Sequence, residues 1–199
     1  VRHAESVSNA SKVFPDESIS PSLTERGVQQ ARAVAEELSN LGVEAVYSSP
    51  MLRTRQTAEK ICDKLGLKFL VDDRLREIGL GKLAGKSHPE IRSIDPEWYK
   101  EYFNESSVYG LEKFVRVMDR MFSAVVDVSN QGKSCVVFVS HVEPIRALVA
   151  ASLGIMGEWV RRIRVSNASI TVFNYTEGVL RLRVLNWLPL REYSDQSRV

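Results

Sequence analysis

Cysteine is scarce in this sequence of 199 residues: there are two, Cys62 and Cys135, and neither stands in a CxxC or Cys/His spacing. That removes the usual cysteine-built zinc sites and leaves no disulfide framework to read. Cys62 lies on the apolar stripe of a helical segment and Cys135 begins an apolar strand, so both read as buried, reduced thiols. Charge of one sign is lacking too. Lysine and arginine number 27 against 25 aspartate and glutamate, a formal charge of +2. With a pI of about 8.6, this excludes a nucleic-acid or membrane partner held by bulk charge, and no basic stripe interleaves with aromatics. No apolar run approaches the ~20 residues that span a bilayer. No signal-peptide pattern opens the chain, so the expected location is the cytoplasm. Repeats, low-complexity stretches and linkers are also missing, and residues 1–199 read as one domain.

What is present is an alternation of helix and strand signals. Hydrophobic residues make up 44% of the chain, enough to bury a core. Val28, Ala31, Ala35, Leu38 and Leu41 mark one helical face, with Thr24 as its N-cap and Gly42 as its stop. Val43 to Tyr47 reads as a short buried strand. A second helix follows on Ala58, Ile61, Cys62 and Leu65, closed by Gly66, and Lys68 to Val71 is a second strand. Gly79 to Gly110 is irregular, with a short aromatic helix near Glu97 to Phe103. Leu111, Phe114, Met118, Met121 and Val125 define a long amphipathic helix. Cys135 to Val139 is an unbroken apolar run, the mark of a strand buried on both faces. Ile145 to Leu153 reads as a helix capped by Gly154. Ser169 to Tyr175 and Val179 to Asn186 flank Thr176-Glu177-Gly178 as a β-hairpin. The last dozen residues read as a surface tail. The expected fold is α/β, a three-layer α/β/α sandwich with a mostly parallel sheet and an antiparallel edge. That hairpin edge offers a route to strand pairing in a homodimer.

Three places join a strand end to charged or polar residues: Arg2 to Asn9, Ser48 to Ala58, and Val139-Ser140-His141. Ligands of open α/β sheets bind beyond the carboxyl ends of the strands, so the three are expected to converge. Val1-Arg2-His3 itself reads like the end of a strand whose earlier residues are absent. Of three histidines in the chain, two sit at these ends, near Arg2 and Arg53. The pattern describes an anion site. His88, beside Pro89, reads as a solvent-exposed residue, and Arg161, Arg162 and Arg164 as a solvated cluster.

These motifs are recognisable. Arg2-His3-Ala4-Glu5-Ser6 with Asn9 resembles the RHGES-x-x-N signature of the histidine phosphatase superfamily, the phosphoglycerate-mutase-like group. Ser49 to Ala58 resembles its second motif, and Leu75-Arg76-Glu77-Ile78-Gly79 the segment that carries its acid. Ser140-His141 followed by Pro144-Ile145-Arg146-Ala147-Leu148 resembles its second-histidine motif. Leu23 to Gly27 matches a further common segment. The sequence departs from the pattern at Ala4, where glycine is usual, at Leu83-Ala84-Gly85, and at Val142-Glu143, which replaces Gly-Gly. None of these removes an expected catalytic side chain. Glu143 does set a carboxylate near the phosphate pocket, where it would disfavour some anionic substrates or select a cationic one.

The resemblance implies a division of labour. Arg2 and Arg53 clamp the phosphoryl oxygens with planar, paired donors. His141 stabilises their charge in the transition state. His3 attacks phosphorus through Nε2, with Nδ1 tied back to the chain, and must be neutral at the attacking nitrogen. Asn9 and Val142 add phosphate-binding positions. Glu77 protonates the leaving oxygen and then activates water. Glu5 holds the loop, and Arg55 lies on the helix after the phosphate site without joining the clamp. No metal or other cofactor is called for.

The expected substrate is a small-molecule phosphate monoester, with no nucleic-acid partner and no membrane. Cofactor-dependent mutases of the group carry a long basic insert after the acid glutamate. The corresponding segment here, a cap at about residues 86–110, is short and carries Lys86, Arg92 and Lys100 against Glu90, Asp95, Glu97, Glu101 and Glu105. It is a poor trap for a second phosphate, so hydrolysis is preferred to phosphoglycerate mutase chemistry. Its Trp98, Tyr99, Tyr102 and Phe103 form either a lid wall or part of the core. A non-catalytic phospholigand-binding protein is the third reading, and the full set Arg2, His3, Arg53, Glu77 and His141 argues against it.

Overall fold

The computed structural model describes residues 1–15 and 20–189, and the expected tail from Leu190 onward lies outside them. Among the described residues the regular elements run α1 (Val7–Ser11), α2 (Glu25–Leu38), β1 (Ala45–Ser48), α3 (Leu52–Leu65), β2 (Phe69–Val71), α4 (His88–Ile94), α5 (Phe114–Ser129), β3 (Val136–Val139), α6 (Val142–Leu153), β4 (Ile170–Thr176) and β5 (Val179–Trp187).

Strands β2, β1 and β3 form a parallel sheet in that order. Its side chains alternate between two helical layers, as the two-residue period of a strand requires. Val46, Val137 and Val139 pack with Val34 of α2 and Ile61 of α3. Tyr47 and Phe138 face the other way, toward Met121 of α5 and Leu148 of α6. The result is a mostly parallel sheet between helices, as the sequence suggests.

Two features differ from a single continuous sheet. The hairpin β4–β5 forms its own antiparallel pair. Between it and β3 runs the N-terminal segment: the Val1 N–H donates to Phe138 O at 2.7 Å, and His3 N–H donates to Ser140 O at 2.9 Å while Arg2 N–H reaches Ser169 O at 3.0 Å. His3 thus emerges beside the end of β3, next to His141.

Local chemistry sets the helix ends. Thr24 Oγ1 accepts from Gly27 N–H at 3.0 Å and caps α2. Helix α2 stops at Leu38, a turn short of the expected face, and Leu41 is exposed. Helix α6 starts at Val142 and not at Ile145. Pro144 falls in its first turn, where the missing N–H has no intrahelical partner to lose. The irregular segment contains α4, unread in the sequence because it is short and buries Ile91 alone. It is opened by a reciprocal Ser87–Glu90 capping box. The aromatic helix is a 3₁₀ turn over Trp98–Tyr102. Trp98 and Tyr102 are buried in the core while Tyr99 and Phe103 only lean on it, so the core reading holds for the first two. Cys62 is buried as expected, but Cys135, one residue ahead of β3, is only partly covered.

Candidate active site

The site is built from three chain ends and one loop. Arg2 and His3 leave the N-terminal segment, Arg53 stands in the first turn of α3, His141 caps α6, and Glu77 lies between two 3₁₀ turns, Asp73–Leu75 and Gly81–Leu83. The structure therefore brings Arg2, His3, Arg53, Glu77 and His141 together, as the motifs predict.

The tautomer of His3 follows from its partners. Its Nδ1 lies 2.7 Å from Ala4 O. A carbonyl can only accept, so Nδ1 carries the proton and Nε2 the lone pair. Arg53 agrees, for its Nε–H donates to His3 Nε2 at 3.2 Å. Arg53 Nη2 also donates to His141 Nδ1 at 3.1 Å. His141 Nε2 then bears the proton and donates to Ser49 Oγ at 2.8 Å. The two imidazoles meet edge to face, 5.2 Å apart. Burial, and then the neighbouring Arg53 charge, hold both histidines well below the ordinary range, so both are neutral.

Both arginines keep an unused donor. Arg2 donates from Nη1 to Val165 O at 2.6 Å. Arg2 Nε and Arg53 Nη1 are buried without a partner among the described residues. Burial lowers both guanidinium pKa values, that of Arg2 to about 10, and both stay protonated at neutral pH. Orphaned donors on buried cations are expensive unless an anion meets them.

Glu77 shares a cavity with Arg53. The cavity, of about 370 Å³, is lined by Met51, Arg53, Glu77, Ile78 and Gly79. Glu77 Oε1 accepts from Ile78 N–H at 3.0 Å and from Glu143 N–H at 3.2 Å. Burial, and next the Glu143 carboxylate, push its pKa up. Glu143 itself pairs with Arg146 at 2.7 Å and leaves Oε2 buried and unpartnered.

The remaining positions sort plainly. Asn9 Oδ1 accepts from Ser6 N–H, Ser6 Oγ–H and Asn167 Nδ2–H at 2.9–3.1 Å. Val142, the first residue of α6, packs its side chain against Ile145, Val149 and Val165. Glu5 holds the loop, accepting from Thr24 Oγ1 at 2.8 Å. Arg55 is exposed on α3. His88 is exposed too, stacked on Phe14 at 4.3 Å. Arg161 corrects the reading of a solvated cluster: it is partly buried, its guanidinium 3.8 Å over the Tyr99 ring. Arg162 and Arg164 are exposed.

Sequence reasoning missed Asn167, which bridges Asn9 to His3 O at 3.1 Å, and the pair Arg120–Glu112, which holds the Glu77 loop. Each sits far along the chain from what it touches, and no local pattern marks it.

An α/β protein whose strand ends gather two neutral histidines, one buried and one partly buried arginine and a raised carboxyl belongs to the phosphate-handling enzymes. The family model of the histidine phosphatase superfamily (branch 1) matches residues 1–188, and the chain belongs to that family. It is 32% identical over 182 residues to the probable phosphoglycerate mutase GpmB of Yersinia pestis (strain Pestoides F), covering 89% of this chain and 84% of that one. Among solved structures it resembles a mycobacterial glucosyl-3-phosphoglycerate phosphatase complexed with VO3, with a TM-score of 0.81, 28% identity, and coverage of 94% of this chain and 96% of that one. Bacillus stearothermophilus YhfR is similar at a TM-score of 0.81 and 28% identity, over 92% and 93% of the two chains.

Proposed function

We propose that this chain hydrolyses small-molecule phosphate monoesters without a metal, through a phosphohistidine on His3, with Glu77 as general acid and base. The observation that carries the reading is the His3 tautomer: a proton fixed on Nδ1 by Ala4 O and a lone pair on Nε2 beside Arg53. An arriving phosphoryl oxygen takes over the Arg53 Nε–H and uncovers that lone pair. Arg2 Nε and Arg53 Nη1, both unpartnered, bind two further contacts on the dianion. Asn9 and the α6 start complete the cradle.

His3 Nε2 then attacks phosphorus in line, and the ester P–O bond breaks. The Glu77 proton passes to the leaving oxygen, releasing an alcohol. Ala4 O stabilises the positive charge on the phosphorylated ring. In the second step the Glu77 carboxylate takes a proton from water, the hydroxide attacks phosphorus, and the N–P bond breaks. Phosphate leaves, His3 is neutral again and Glu77 is protonated. The raised pKa of Glu77 suits the first step. Residues 86–110 are read as a cap on a single domain.

Phosphoglycerate mutase activity is the second reading, favoured by the name of the Yersinia relative. Hydrolysis of p-nitrophenyl phosphate in excess chelator, with trapping of an acid-labile phosphoenzyme, tests the first. Turnover that survives in His3→Ala removes the nucleophile assignment. Interconversion of phosphoglycerates outrunning phosphate release selects the mutase.

A further inference from the structure

The loop that carries Glu77 has no strand partner. A single ion pair on the far layer nonetheless bonds four of its backbone groups, the carbonyls of Arg74, Arg76 and Glu77 and the Gly79 N–H. Arg120, in the second turn of α5, donates from Nη1 to the carbonyls of Arg74 and, at 2.7 Å, Arg76. Its Nη2 donates to Glu77 O at 3.2 Å. The two remaining N–H groups go to Glu112: Nε to Oε1 at 2.9 Å and Nη2 to Oε2 at 3.1 Å. A guanidinium has five N–H donors in a fixed plane, so every one is used and none is left for a ligand.

Glu112 closes the other end. Its Oε2 accepts from Gly79 N–H at 2.9 Å, and its own N–H donates to Gly79 O at 2.9 Å. A Cβ on Gly79 would stand 3.2 Å from Glu112 Cβ, so the approach is close. From the sheet side, Ser140 Oγ–H donates to Leu75 O at 2.7 Å. Residues 74 to 79 are therefore fixed from both flanks, with Glu77 in the middle.

We infer that Arg120 and Glu112 are the positioning residues for the general acid of this site. The inference rests on the proposed role of Glu77. The pair replaces the missing strand ladder and fixes where the carboxyl stands relative to the leaving oxygen. It touches neither phosphate nor His3. Lysine in place of Arg120 keeps the charge but offers one point donor instead of a planar fork.

The test separates steps that need a proton from steps that do not. Wild type, Glu77→Gln, Arg120→Lys, Glu112→Gln and the double variant Glu77→Gln/Arg120→Lys are compared on two substrates. Glycerol 2-phosphate has an alkoxide leaving group that must be protonated. 2,4-Dinitrophenyl phosphate does not, and its first-turnover burst reports phosphorylation of His3 alone. Arg120→Lys and Glu112→Gln are expected to lower kcat on glycerol 2-phosphate by about 10- to 100-fold, the scale of a displaced catalytic group. KM and the first-turnover burst stay unchanged, and the alkaline limb of the pH profile moves. The double variant is expected to be no slower than Glu77→Gln, because both changes act through one carboxyl.

Equal losses in the first turnover on both substrates, or an added loss in the double variant, would show a merely structural pair and overturn the inference. Should Glu77→Gln slow the first-turnover phosphorylation of His3 by both substrates alike, the acid assignment fails and takes the inference with it. Thermal melts check folding. Where Arg120→Lys does not fold, Glu112→Gln answers alone, since it keeps the arginine.

Discussion

The centre of His3, Arg53 and His141 and the loop that carries Glu77 share one site but are held in different ways. The centre is held where strand ends and helix starts meet: His3 by Ala4 O, Arg53 by its place in the first turn of α3, His141 by Ser49 just behind β1 at 2.8 Å. The loop, which has no strand partner, is held by the side chains of Glu112 and Arg120. Sites of the first kind announce themselves as motifs. Those of the second kind appear only once the chain is folded.

Substitutions can break this contrast. The largest effect is expected at His3, where alanine removes the nucleophile: turnover falls by at least about 1,000-fold with folding intact, the scale at which nucleophile deletions act. Arg53→Met comes next. It deletes the group that touches both histidines, and it is expected to lower kcat by about 100- to 1,000-fold, as loss of a preorganised charge-stabilising donor does. Steady-state kinetics on one aryl phosphate measures both. A loss in Arg53→Met seen only in KM would make the arginine a binding group without a share in the transition state.

Gly27 sharpens the comparison in stability terms. It opens α2 against the loop after His3, and a Cβ there would lie 2.0 Å from Glu5 O. That contact is with backbone and cannot relax cheaply, so Gly27→Ala is expected to cost about 2–3 kcal/mol, the upper range for overpacking. Urea denaturation reads it directly. A neutral result would mean that the Glu5 turn is freer to move than its hydrogen bonds suggest.

Legibility followed the same divide. The parallel sheet was readable because β1 and β3 are short apolar runs with turns behind them, and Thr24 and Gly66 marked helix ends by local chemistry. Arg2, His3, Arg53 and His141 were readable as residues at strand ends, and the resemblance added their roles together with Glu77. Helix α4 was not, since seven residues with one buried side chain leave no periodicity. The separate hairpin sheet was not either: a strand pattern shows that a hairpin forms, but not which backbone it docks against. Asn167, Glu112 and Arg120 are ordinary polar residues until tertiary packing gives them partners.

The smallest expected effect is on stability against pH, and it sets the two regions against each other. The centre holds His3 and His141 well below 6.5, by burial first. Below about 6.5 the unfolded chain therefore binds protons that the folded one refuses, and stability falls with acid. Glu77 is shifted up from 4.5, again by burial first. From 4.5 up to its folded pKa the folded chain holds the extra proton, so its contribution falls as pH rises. Between pH 4.5 and 6.5 the two trends oppose each other as far up as the folded Glu77 keeps its proton, and His3 and His141 together act against that one carboxyl. Urea denaturation in phosphate-free buffer across that range is expected to give a steeper slope in Glu77→Gln and a shallower one in His141→Gln. Parallel curves for the three proteins would mean that neither region titrates between the folded and unfolded states, and that the electrostatic contrast between them is too small to measure.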